Sequence, residues 1–206
     1  MTFIPGSTEK LMWYFTDVIR SFSLRSWTFT PSDGRPLVGL ARIIGDADAR
    51  TLTTSYEVGV EKPATLVLKN VNLTYDGTYQ FSLSSAGLSE VVVYIAVKPN
   101  ATATCSSPKI LNEGDNVSCT CRGQGGNPPA DVTWYKDNHK IGGTGKEEKT
   151  LTLTNVTNEK HHGSYKCVAQ SHPNEMFQDE VKIEVKVKSK PKKTKIEVPG
   201  EAYLGE

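Results

Sequence analysis

Short runs with an apolar residue at every second position recur along this chain, and clusters of glycine, proline, asparagine and aspartate separate them. A period of two marks strands with one buried face, whereas a helix would repeat every three to four residues. Val117, Cys119 and Cys121 share one face of such a run, Leu151 and Leu153 share another within residues 149–156, and Val181, Ile183, Val185 and Val187 form the last. Between Arg122 and Ala130, Gly123, Gly125, Gly126, Pro128 and Pro129 break strand pairing and suit a turn between two sheets. Trp134, in Asp131-Val132-Thr133-Trp134-Tyr135, then starts the opposite sheet. The pattern predicts an all-β chain built of facing sheets.

The pattern also occurs twice. Asp76-Gly77-Thr78-Tyr79-Gln80-Phe81 repeats the motif His161-His162-Gly163-Ser164-Tyr165-Lys166-Cys167, with Phe81 in the place of Cys167. Leu66, Leu68 and Val71 precede the first copy as Leu151, Leu153 and Val156 precede the second. The 206 residues therefore divide into a unit at 1–98 without cysteine, a unit at 99–189 with all four cysteines, and a tail at 190–206. From Trp27 to Phe81 there are 54 positions, against 33 from Trp134 to Cys167, so the first unit has room for additional middle strands and the second does not. Ser32-Asp33-Gly34-Arg35-Pro36 reads as a turn into one such strand, continued by residues 37–44.

Cys121, Trp134, Tyr165 and Cys167 have the order and spacing of an immunoglobulin domain, which the second unit resembles. That resemblance implies two cysteines bridging the sheets, a tryptophan packed on the bridge, and a tyrosine hydroxyl bonded back to the backbone. It implies two tandem immunoglobulin-like β-sandwiches, the first variable-like without a disulfide and the second intermediate- or constant-like with disulfides. Trp27 is then the core tryptophan of the first domain, with Tyr79 and Phe81 beside it, and Trp13, Tyr14 or Phe15 replaces its first cysteine. Four cysteines allow three connectivities. Cys121 with Cys167 and Cys105 with Cys119 is the favoured pairing, because the first strand of the domain would lie beside the strand that carries Cys119. Exchange of Cys119 for Cys121 is the alternative. His161 stands where such domains carry the aspartate that Asp76 supplies in the first domain, and Asp76 is expected to pair with Arg50 or Arg42.

Composition narrows the function. A formal net charge of +1 gives no global field toward nucleic acid or acidic membrane. The longest apolar run, Val91 to Val97, falls well short of the ~20 residues of a spanning helix. The amino terminus, Met1-Thr2-Phe3-Ile4-Pro5-Gly6, lacks the layout of a secretion signal, so either a signal was removed or the protein is cytosolic. Two features favour removal and an extracellular protein: the cysteine cluster, and the glycan acceptor pattern Asn-x-Ser/Thr at Asn72, Asn100, Asn116 and Asn155. Six lysines in residues 186–195 read as a solvated final strand and linker, and Leu204-Gly205-Glu206 resembles the start of a third domain of the same kind.

Catalysis has little support. His139, His161, His162 and His172 form no ligand spacing, and the adjacent His161 and His162 would point apart on a strand. No nucleophile elbow, dinucleotide loop or phosphate loop occurs, and aromatics are not interleaved with basic residues as single-stranded nucleic-acid platforms require. The expectation is a binding protein with no cofactor, no metal, no small-molecule substrate and no nucleic-acid partner.

Three segments carry a closer likeness: residues 113–121 with their double-cysteine strand, Gly125-Gly126-Asn127-Pro128-Pro129 running on to Lys136, and residues 151–156. With a cysteine-free variable-like domain ahead of them, they are similar to the hydrozoan allorecognition (Alr) family of cell-surface immunoglobulin-superfamily proteins. The resemblance implies a single-pass receptor, anchored through a segment outside this chain, whose outer domain binds the same protein on an opposing cell. On that reading the binding face comprises Ser26, Thr28, Leu40, Arg42, Gln80, Ser82 and Ser84. The runner-up is a heterophilic adhesion or immune receptor.

Overall fold

A computed structural model describes residues 1–21, 23–106 and 110–189; the final lysines and the third-domain likeness at 190–206 lie outside the described residues. The first sandwich comprises β1 (Thr2–Phe3), β2 (Glu9–Met12), β3 (Leu24–Pro31), β4 (Val38–Ile44), β5 (Arg50–Thr51), β6 (Val58–Glu61), β7 (Thr65–Leu68), β8 (Gly77–Leu83) and β9 (Gly87–Ile95). One sheet runs β1-β9-β8-β3-β4-β5 and the facing sheet runs β2-β7-β6. The second sandwich comprises β10 (Asn100–Cys105), β11 (Ile110–Asn112), β12 (Val117–Gln124), β13 (Asp131–Lys136), β14 (His139–Lys146), β15 (Glu148–Leu153), β16 (Gly163–Gln170) and β17 (Gln178–Lys188). Its sheets are β10-β12-β15 and β11-β17-β16-β13-β14. In each, a short early strand pairs in parallel with the last one, β1 with β9 and β11 with β17, and the remaining pairs are antiparallel.

Alternation builds both cores. In β8, Tyr79, Phe81 and Leu83 turn inward, and in β16, Tyr165, Cys167 and Ala169 do the same. Cys121 on β12 bonds to Cys167 on β16 across the two sheets, and Trp134 sits directly opposite Cys167 on the neighbouring strand. The indole Nε1 of Trp134 donates to the Lys149 carbonyl at 2.9 Å. Cys105 bonds to Cys119 within one sheet, where β10 and β12 set the two residues face to face with Cα atoms 4.0 Å apart.

The first sandwich fills the position of the missing bridge with rings. Phe81 stacks on Trp13 at 5.6 Å and Phe15 at 6.1 Å and lies 5.2 Å from Trp27, whereas Tyr14 points into solvent. Each such pair adds about 0.5–1.5 kcal/mol beyond the area it buries. Arg25 also faces inward from β3. Its guanidinium donates to the carbonyls of Pro63, at 2.8 Å, and Gly45, so one buried cation ties two turns together at the end of the sandwich.

Four expectations need correction. The second sandwich does hold an added middle strand, β14, because Asp137 and Asn138 make a two-residue hairpin turn at φ of 50° and 62° that uses almost no chain. Leu40 is fully buried rather than on the outer face. A bulge causes this: Trp27 opposes Ala41 and Thr28 opposes Gly39, so Leu40 is the extra residue and turns inward. Asp76 pairs with neither Arg50 nor Arg42; its Oδ2 accepts from the Ile95 amide at 2.9 Å and from the Asn127 side chain. Finally, Tyr79 and Tyr165 donate to the carbonyls of Tyr75 and His161, each four residues earlier, so His161 is equivalent to Tyr75 and Asp76 to His162.

Candidate interaction face

The outer surface of the six-stranded sheet is set by pairing. Ser26 on β3 opposes Ser82 on β8 and Arg42 on β4, and Thr28 opposes Gln80. These side chains point away from the core, with the two serines, Thr28 and Gln80 half-buried and Arg42 exposed. Ser84 lies beyond the end of β8 in the hairpin turn, where its Oγ accepts from the Leu24 amide at 3.0 Å. The structure therefore brings five of the seven expected face residues to one side, sets Ser84 in the turn at the end of that sheet and places Leu40 on the opposite face.

Sequence reading missed the apolar part of this face. Leu24 pairs with Ile44, Leu88 with Ser82 and Val92 with Thr78, and all four apolar side chains are exposed. Glu90 opposes Gln80 at the β9 side, so Arg42 and Glu90 are separated by β3 and β8. The signal was the alternation Leu88, Glu90, Val92, Tyr94, hidden in a stretch that also reads as continuous apolar sequence. Among the described residues, eleven of the thirteen exposed large apolar side chains belong to residues 1–98. At the end of this sheet an open groove of about 370 Å³ runs between residues 12–15 and the hairpin at residues 83–89.

Chemistry is spent on structure elsewhere. The Nδ1 atoms of His161, His162 and His172 accept backbone amides from Thr157, Val187 and Asn174 at 3.0, 3.3 and 3.0 Å, and His139 Nδ1 lies 2.9 Å from the Asp137 carbonyl oxygen. Among the described residues no three metal-ligating side chains cluster. Burial pushes the Tyr79 and Tyr165 hydroxyls above the ordinary phenol value, which keeps both protonated as donors to the carbonyls they hold. Asn72, Asn100, Asn116 and Asn155 are all exposed.

Residues 98–171 match the sequence profile of the immunoglobulin domain. The match falls in the second sandwich. A stretch of 91 residues is 34% identical to human junctional adhesion molecule A, covering 42% of this chain and 30% of that protein. Another of 94 residues is 30% identical to the limbic system-associated membrane protein of Rattus norvegicus, covering 42% and 27%. A third of 115 residues is 32% identical to the peroxidasin homolog of Mus musculus, but covers only 8% of that protein and is a partial immunoglobulin-domain match. The chain spans between 8% and 30% of these relatives. Murine CEACAM1b shares the two-sandwich fold over 90% of this chain and 95% of its own, with a TM-score of 0.54 and 14% identity. The partial matches include cell adhesion molecules, and they are not specific to the hydrozoan allorecognition family. No helix among the described residues is long and apolar enough to cross a membrane.

Proposed function

We propose that this chain is the outer part of a cell-surface receptor whose first immunoglobulin domain, residues 1–98, binds a second copy of itself on an opposing cell. The observation that supports it most is the concentration of exposed apolar side chains in that domain, with Leu24, Ile44, Leu88 and Val92 bordering a centre of Ser26, Thr28, Gln80 and Ser82. Exposed apolar side chains gathered on one sheet face are the kind of patch that marks a contact surface. A two-fold axis running across the strands sets the two copies antiparallel, as a contact between opposing cells requires, and uses each contact twice. The disulfide-bonded second domain, residues 99–189, holds this face away from an anchor that lies outside the chain. Weak contacts of this kind gain strength when many copies meet across a cell boundary. The resemblance to hydrozoan allorecognition proteins makes discrimination of self from non-self the use of such a contact.

Beads coated with the ectodomain test this reading. Identical beads are expected to clump. Beads that stay apart from one another while being captured by a different protein would establish the heterophilic receptor instead.

A further inference from the structure

The four glycan acceptor sequences are distributed unevenly over the two sandwiches. Asn100 points outward from β10, Asn116 immediately precedes β12, and Asn155 follows β15, so all three belong to the β10-β12-β15 sheet or its turns. Asn72 follows β7, in the turn that leaves the β2-β7-β6 sheet. None stands on a strand of the sheet β1-β9-β8-β3-β4-β5, nor on its counterpart β11-β17-β16-β13-β14. Each acceptor side chain is exposed.

Local bonding at Asn72 is compatible with a sugar on its side-chain nitrogen. Asn72 uses its Oδ1, which accepts from the Thr74 amide at 2.9 Å and hydroxyl at 2.7 Å. Asn116 also uses Oδ1, which accepts the Asn155 amide at 2.8 Å. Both bonds survive when the nitrogen is substituted, because the oxygen is the acceptor. Asn100, Thr102 and Thr104 alternate outward along β10, and Ser118, Thr120, Thr150 and Thr152 continue the same hydroxyl-rich surface across β12 and β15. Thr120 and Thr150 bond to each other at 2.9 Å. That flank is polar and uncrowded, the kind of surface a bulky hydrated sugar covers without displacing an apolar contact.

We propose that this chain carries asparagine-linked glycans at Asn72, at Asn100 and on the adjoining pair Asn116 and Asn155, and that these leave the six-stranded sheet of the first sandwich bare. Sugars occupy the three-stranded sheet of the second sandwich and the turn after β7 in the first, and close those surfaces to protein contact. The outer face formed by β9, β8, β3 and β4 stays bare for the partner. The second half of this proposal rests on the self-binding reading given above; the first does not.

The test uses the secreted chain from a eukaryotic host. Peptide mapping after enzymatic release of N-glycans is expected to show asparagine converted to aspartate at Asn72, at Asn100 and at one or both of Asn116 and Asn155. Finding any of these three places unoccupied overturns the proposed glycan pattern, whatever the beads do. Gln80→Asn then creates an acceptor with Ser82 in the middle of the bare face. The added glycan is expected to abolish bead clumping, and its enzymatic removal is expected to restore it, which separates a steric effect from misfolding. Clumping that persists with that glycan in place, or that fails to return when it is removed, overturns the bare-face assignment. Unaltered beads that never clump would refute self-binding, with glycan occupancy still read independently by mass.

Discussion

The side-chain amide of Asn127, from the loop between β12 and β13, donates to the carboxylate of Asp76 at the base of the first sandwich. The same nitrogen reaches the Ile95 carbonyl at 2.8 Å, and the Ile95 amide donates to Asp76 Oδ2 at 2.9 Å. Around this contact Val97 and Asn127 exchange backbone hydrogen bonds of 2.9 and 3.3 Å, and Ser171 Oγ donates to the Val97 carbonyl at 2.6 Å. The residues that link the sandwiches are thus bonded to both of them.

Asn127→Ala removes the side-chain part of this joint. Loss of a hydrogen bond to a charged group is worth about 1.5–3 kcal/mol. Small-angle scattering is expected to show a single extended shape for the parent chain and a broader distribution of interdomain distances for the variant, with both domains still folded. Identical profiles would show that the backbone pair alone holds the joint.

Acid is expected to loosen the same region. Asp179 accepts the Ala101 amide at 2.9 Å and lies 3.3 Å from Lys98, and those contacts hold its carboxyl below the usual carboxylate value, the amide bond first. A carboxylate whose folded pKa is lowered contributes stability that is complete above its unfolded value of about 3.9 and is lost as pH falls through the folded value. Between neutrality and pH 5 scattering profiles should therefore coincide, with change confined to more acidic solutions. Asp179→Asn, which cannot titrate, should remove part of that acid dependence.

Reduction separates the two domains. The first has no cysteine, while the Cys121–Cys167 and Cys105–Cys119 bridges close spans of 46 and 14 residues. If loop-closure entropy sets their value, they contribute about 4 and about 3 kcal/mol. Thermal unfolding under strong reductant is expected to lower the melting of the second domain by many degrees and leave the first unchanged. A joint shift of both transitions would mean that the domains unfold as one unit.

Phe81→Ala tests the aromatic substitute for the missing bridge. The ring contacts Trp13, Phe15 and Trp27, and truncation of a buried phenylalanine costs about 3–5 kcal/mol. Denaturant titration should show that loss in the first transition alone. Tyr79→Phe removes only the bond to Tyr75 and is expected to cost about 1 kcal/mol.

The strands and facing sheets were legible in the sequence because alternation is local: Val117, Cys119 and Cys121 declare one buried face within five residues. The aromatic core of the first domain was legible for the same reason, through the repeat that aligns Phe81 with Cys167. What failed depended on register or on distance. Leu40 obeys the period of two until the bulge opposite Trp27 and Thr28 shifts it, and a bulge leaves no mark in the apolar pattern. Asp76 finds its partner 51 residues away in the other sandwich, where spacing arguments do not reach. The strand β14 had a signal in Asp137-Asn138, a pair suited to positive φ, which counting residues between Trp134 and Cys167 overlooked. The apolar edge of the face was hidden because Leu88, Val92 and Tyr94 alternate with Val91, Val93 and Ile95, so both sides of β9 read as hydrophobic.

Bead aggregation with one substitution on each side of the molecule is the most direct test of recognition through the first domain. Ser82→Arg places a charge at the centre of the outer face, and Thr152→Arg places the same charge on the exposed flank of β15. Unaltered beads and Thr152→Arg beads are expected to clump alike, while Ser82→Arg beads stay dispersed with an unchanged melting temperature. Dispersed unaltered beads, or Ser82→Arg beads that clump as well as the parent, would contradict the account.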